Sequence, residues 1–118
     1  MIKQAPVKPM IKHKDFSRLD IRVGTILHVE DMVKSDNLVK LTVDFGDHRR
    51  SIIAGMKKER ENLKEIEGIQ TLFIVNLEPR KMMGEISNGM ILDIGYADKI
   101  NPVLAIPEKP VPNGTRLG

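Results

Sequence analysis

The chain of 118 residues contains no cysteine and no tryptophan, and its only aromatic side chains are three phenylalanines and one tyrosine. Without cysteine, disulfides, thiolate catalysis and cysteine-ligated zinc are all excluded. The three histidines, His13, His28 and His48, lie far apart and show no metal-ligand spacing, so neither a metal nor a cofactor is expected. There is no nucleophile elbow, no Walker loop and no dinucleotide-binding glycine fingerprint. Asp44 with Asp47, and the carboxylates near Lys57–Ile66, read as solvating groups of a turn and a surface element. The chain is therefore not expected to be an enzyme. No apolar run approaches the roughly 18 residues of a membrane span. The first residues, MIKQAPVKPMIKHKDF, mix Lys and Pro with single apolar side chains and lack the continuous apolar stretch of a secretory signal. A cytoplasmic protein with no membrane partner is the expectation.

What the chain does have is the size of one ordinary domain, with 41% hydrophobic and 30% charged residues. Its formal charge of +3 is unevenly placed. Residues 1–18 carry Lys3, Lys8, Lys12, Lys14 and Arg18 against Asp15 alone, so the rest of the chain is close to neutral. Prolines at 6 and 9 make residues 1–14 an extended basic leader, read as solvated chain in preference to a binding arm. Phe16 and Leu19 suggest a short helical or turn element before the first strand.

Five strands follow. From Asp20, the residues Ile21, Val23, Leu27 and Val29 alternate with polar ones, and Gly24 marks a bulge or sharp bend. Lys34-Ser35-Asp36-Asn37 is turn chemistry, after which Val39, Leu41, Val43 and Phe45 alternate with Lys40, Thr42 and Asp44. Arg49–Ala54 reads as a third strand after a short connection. Lys57–Ile66 contains good helix formers but only Leu63 and Ile66 as apolar content, so a short helix covering one end is expected. Thr71–Asn76 and Gly89–Ile94 complete the order βββ-α-ββ. That order predicts an all-β protein: a five-stranded oligonucleotide/oligosaccharide-binding (OB) barrel over residues 15–94, with one short helix between strands 3 and 4. Residues 95–118 form an extension whose apolar run, Val103-Leu104-Ala105-Ile106, has no evident place in such a barrel, and this predicts a homodimer interface.

Asn76 to Met90 (NLEPRKMMGEISNGM) sits in the fourth-to-fifth connection. Arg80 and Lys81 are balanced by Glu78 and Glu85, so two readings stand: a solvated hairpin loop, or a site in which Arg80-Lys81 grips phosphates and Asn76, Ser87 and Asn88 reach bases. Met82 and Met83 in a polar loop suit packing against a base or a variable partner, and Met90 fits core and surface equally well. Exposed aromatics for stacking single strands are scarce, which favours folded RNA recognised by shape, backbone and a few extruded bases.

These residues also carry a family likeness. Asp20–Ile26 (DIRVGTI), Arg50–Met56 (RSIIAGM) and NLEPRKMMGEISNGM resemble the tRNA-binding domain at the C-terminus of bacterial methionyl-tRNA synthetases. Similar domains occur as free-standing structure-specific tRNA-binding proteins and as a beta subunit of archaeal synthetases. The likeness runs from about Phe16 to Gly118. It implies an OB barrel with a C-terminal extension that pairs two subunits, and a grip near the outer corner of tRNA. The RNA-contact group it implies is Asn76, Arg80, Lys81, Ser87 and Met90, with Lys40 and Arg50 as basic contacts on the barrel face. The implied partners are tRNA, a second copy of the chain and the methionyl-tRNA synthetase catalytic subunit. The chain departs from the pattern at Val33-Lys34-Ser35-Asp36, where relatives have His-Pro before Ala-Asp, and at Glu78 and Met83, where some free-standing relatives have Lys and Arg. The latter departures imply a weaker binder, as suits a subunit working in trans. The alternative is a CsaA-type dimeric export chaperone that binds unfolded polypeptide; the Pro-Arg-Lys-Met and Ser-x-Gly-Met string counts against it.

Overall fold

In the computed structural model, which describes residues 4–118, a short helix α1 (His13–Phe16) precedes strands β1 (Ile21–Asp31), β2 (Val39–Asp44), β3 (Arg49–Ala54) and β4 (Gln70–Ile74). These are followed by a hairpin of β5 (Arg80–Met82) and β6 (Glu85–Ser87), then by β7 (Met90–Ile91), β8 (Asp93–Ile94) and β9 (Val103–Leu104). The main sheet has the order β3-β2-β1-β4-β7, all antiparallel, and curls into a half-barrel. No helix among the described residues is long and apolar enough to cross a membrane.

The curl originates in β1. Its first half, Ile21–Thr25, pairs with β4, and its second half, Thr25–Asp31, pairs with β2. At the changeover the inward residues shift phase: Val23 and Val29 are buried, but between them the buried side chain is Ile26, not the expected Leu27. The register shift between Ile26 and His28 makes Leu27 the residue in excess, and such a bulge bends the strand. Gly24 has a separate role. A Cβ there would lie 2.6 Å from Val43 Cγ1 and 2.9 Å from Phe45 Cε1, so β1 lies against the core with no room for a side chain. β2 follows simple alternation, with Val39, Leu41 and Val43 buried and Lys40, Thr42 and Asp44 turned outward. Phe73 and Phe45 meet edge to face, 5.4 Å between centroids, at the centre of the core.

The helix expected over Lys57–Ile66 contracts to one 3-10 turn, Leu63–Ile66, capped by the Asn62 side chain accepting from Lys64 N–H. Tertiary contacts override local propensity here. Lys57 Nζ pairs with Asp31 and donates to the carbonyls of Met32 and Ser35, which fixes the segment's start as a staple across the β1–β2 loop. Only Ile66 is buried to reward further winding. The expected fifth strand, Gly89–Ile94, is likewise divided: β7 pairs with β4, whereas β8 turns away to pair with β9.

The apolar run in the tail therefore has a place after all. Leu104 packs against the core, and the Ala105 carbonyl accepts from Leu72 N–H and from the buried Thr71 hydroxyl. Further on, Val23 N–H donates to Thr115 O, Gly114 N–H to Val23 O and Leu117 N–H to Ile21 O. Residues 114–117 thus cover the edge of β1 that β2 leaves unpaired. An open edge of this kind invites pairing with another chain.

The β5–β6 hairpin turns on Met83 (φ 52°) and Gly84 (φ 83°), both left-handed, as a two-residue type I′ turn requires. A methionine pays steric strain in that conformation which asparagine tolerates better. Met83→Asn is expected to raise stability by about 0.5–1 kcal/mol, read as a higher urea midpoint at unchanged slope; an unchanged midpoint would show that the turn is unstrained.

Candidate nucleic-acid interface

All seven residues that the sequence singled out converge on the β5–β6 hairpin, but they do different things there. Asn76 holds its root: its Oδ1 accepts from Asp20 N–H at 2.8 Å and its Nδ2 donates to Arg18 O at 2.6 Å. Both halves of the amide are thereby engaged, and the end of the leader is tied beside the hairpin. Arg50 supports the same root from β3, donating through Nη1 to Val75 O at 2.6 Å and to Asn88 O at 3.5 Å. Its Nε donates to His48 Nε2 at 2.9 Å, and its guanidinium lies 5.7 Å from the centroid of the Phe45 ring. Ser87 is 5% exposed. Its hydroxyl accepts from Ile53 N–H at 2.9 Å and donates to Gly89 O at 3.1 Å, while Asn88 N–H donates to Ser51 O. Together these bonds fasten the hairpin to the free edge of β3 and draw the two ends of the curled sheet towards one another. Lys40 reaches the hairpin from β2, pairing with Glu85 at 2.9 Å, which holds the lysine's pKa above its ordinary value.

Arg80, Lys81 and Met90 remain turned outward. Among the described residues neither Arg80 nor Lys81 forms an ion pair, and both are exposed on β5. As neighbours in a strand they point to opposite faces, so the hairpin is a ridge with one cation on each flank. Ile86, opposite Lys81, is 61% exposed, and Met90, beyond the hairpin, is 45% exposed. On the flank bearing Arg80 lies a cleft of about 360 Å³ between β3, the hairpin and β7, bordered by Met56, Met82, Met90 and Leu104. The sequence reading missed this cleft. Its walls come from separate segments, and only the Met82–Met90 spacing hinted at it.

A second cluster lies below the hairpin root. Asp20 takes the Arg22 guanidinium through both oxygens and is also reached by Arg116 at 3.4 Å; the Arg22 hydrogen bond, outweighing desolvation, holds its carboxyl below the usual range. Asp47 is held low chiefly by its hydrogen bond to His48. No group of three or more metal-ligating side chains occurs among the described residues.

A curled five-strand sheet with a projecting hairpin after its fourth strand defines the class, an OB-like nucleic-acid-binding module. The model of the putative tRNA-binding domain family matches residues 21–116, and the chain belongs to that family. It is 42% identical to methionine–tRNA ligase of Archaeoglobus fulgidus over 110 residues, covering 93% of this chain but 16% of the ligase. A methionine–tRNA ligase of Methanococcoides burtonii is 44% identical over 92% of the chain and 16% of that enzyme. The chain thus spans about a sixth of the length of these relatives. Among solved structures, it is similar to a MetRS-related protein from Pyrococcus horikoshii (TM-score 0.84, 29% identity, 94% of this chain and all of the other). It is also similar to the chaperone CsaA from Bacillus anthracis (TM-score 0.78, 29% identity, 93% of this chain and all of the other).

Proposed function

We propose that the protein is a non-catalytic, structure-specific tRNA binder that acts in trans for methionyl-tRNA synthetase, as a beta subunit or a separate factor, in the cytoplasm. The observation that carries this reading is the hydrogen-bonded hairpin with an exposed cation on each flank: Asn76, Arg50 and Ser87 fasten it, and Arg80 and Lys81 meet phosphate. Met90 supplies an apolar contact, and Lys40 becomes available to phosphate where RNA competes with Glu85. Backbone and shape contacts do not read the anticodon. In filter binding at fixed salt, tRNAs of different amino-acid identity are therefore expected to bind with affinities within about threefold of each other, a spread of under 1 kcal/mol. Tight binding of one species alone would replace shape recognition with base readout. Preference for an unfolded polypeptide over every tRNA would favour the chaperone reading, to which the apolar cleft and the CsaA likeness lend support.

A homodimer is the second part of the proposal. The tail's inner side is bonded to its own barrel, but Val103 (52% exposed), Ile106 and Tyr96 (79% exposed) face outward. In the leader, Ala5 N–H donates to Asp98 at 2.6 Å, and Val7, Met10 and Ile11 are exposed. Apolar groups held out on an extended segment indicate a partner surface. Light scattering is expected to give twice the 13.3 kDa chain mass at micromolar concentration, and Val103→Asp with Ile106→Asp to give the single mass. A wild-type monomer under those conditions would remove the dimer.

A further inference from the structure

We infer that the cleft beside Arg80 is a pocket for one extruded nucleobase presenting amino hydrogens, with guanine the best fit. The inference rests on the tRNA-binding reading above and adds a base-specific contact to it.

The apolar part of the cleft is made of groups that suit a flat ring. Met56, Met82 and Met90 border it, and thioethers pack well on aromatic faces. Its volume of about 360 Å³ lies within the roughly 300–1,000 Å³ range of small-ligand sites. Gly55 forms part of the wall, and neither conformation nor crowding calls for glycine there: its φ is not left-handed, and a Cβ would meet nothing within 4 Å. The missing side chain leaves space that a ligand can use.

The polar part is acidic. Glu59 and Asp93 both line the cleft, and among the described residues the only cation paired with Glu59 is Arg60, at a long 3.9 Å. Burial first, and then repulsion from Asp93, push the Glu59 carboxyl above its usual range. A ligand bringing hydrogen-bond donors relieves both penalties, and one bringing acceptors aggravates them. Guanine offers N1–H and the N2 amino group side by side, a bidentate match to a carboxylate. Adenine and cytosine offer one amino group. Uracil places two carbonyl oxygens around its single N3–H and is repelled. Arg80, on the rim, is positioned to take the phosphate of the same nucleotide.

The test uses the full-length protein with 13C-methyl methionine and titrates GMP, AMP, CMP, UMP and ribose 5-phosphate separately. GMP is expected to shift the Met56, Met82 and Met90 methyl signals at a concentration roughly tenfold below that needed for UMP, while Met10 and Met32, outside the cleft, stay unmoved. Gly55→Leu should abolish those shifts without changing the circular dichroism, and Glu59→Gln should erase the preference for GMP over UMP. Gly55→Leu should also weaken tRNA binding by roughly tenfold. Equal shifts from all four nucleotides, shifts from ribose 5-phosphate alone, or shifts only outside the cleft would overturn the inference. So would shifts from N-acetyl-lysine amide with none from nucleotides, which would assign the cleft to polypeptide. If Gly55→Leu binds tRNA as the wild type does, the pocket fails and the tRNA reading survives; if the wild type binds no tRNA, the broader reading fails.

Discussion

With Arg80 and Lys81 both replaced by alanine, tRNA affinity should fall by roughly ten- to a hundredfold near physiological salt, and the plot of log affinity against log salt should flatten. Each phosphate contact releases condensed counterions, so each lost cation takes roughly 0.7 to 0.9 off the slope. Because the two side chains lie on opposite flanks of β5, they meet different phosphates, and the single variants should each remove about half of the slope change of the pair. Folding should be unaffected, since both are exposed and neither holds an ion pair among the described residues. The measurement is a salt series for wild type, Arg80→Ala, Lys81→Ala and the pair. If affinity and slope are unchanged in folded protein, the hairpin is not the tRNA site.

Ser87→Ala should be costly in a different way. The hydroxyl stands where a neighbouring strand's carbonyl would be, accepting from Ile53 N–H in a buried position. Removing it leaves that donor unsatisfied and detaches the hairpin from β3, at a cost of about 1–3 kcal/mol in a urea melt. Affinity for tRNA should also fall, but with the salt slope kept, because no cation is lost. The family resemblance implies a direct RNA contact for Ser87. A variant that loses affinity at full stability would support direct contact; one that loses both supports the fastening described here.

How legible these roles were depended on whether they were set locally. β2 could be read directly, since Val39, Leu41 and Val43 occupy one face of a strand that pairs with β3 in a single register along its length. β1 could be recognised as a bent strand, but the burial of Ile26 in place of Leu27 follows from its change of partner at Thr25, which leaves no local mark. Lys57–Ile66 has the propensity of a helix, and its conformation is decided instead by where Lys57 Nζ finds carbonyl oxygens. The hairpin segment was visible as the chemically informative stretch. Its division of labour was not, because Asn76 and Ser87 have the side chains of base readers and act mainly as hydrogen-bonded fasteners. The cleft was least accessible of all: Gly55 and Glu59 lie on the connection after β3 and Met90 lies on β7, and the two segments meet only after the sheet curls.

Residues 114–117 lying along the open half of β1 also have a kinetic consequence. Synthesis runs from N- to C-terminus, so Ile21–Val23 emerge more than ninety residues before Gly114–Leu117. For that interval β1 has an unpaired edge, and the domain cannot complete its hydrogen bonding until nearly its last residue is free. Closing so long a loop at the end of folding is slow compared with forming the β2–β3 hairpin. The half-finished barrel is therefore the species most exposed to aggregation, and the stage at which a bound partner would do most to protect the chain.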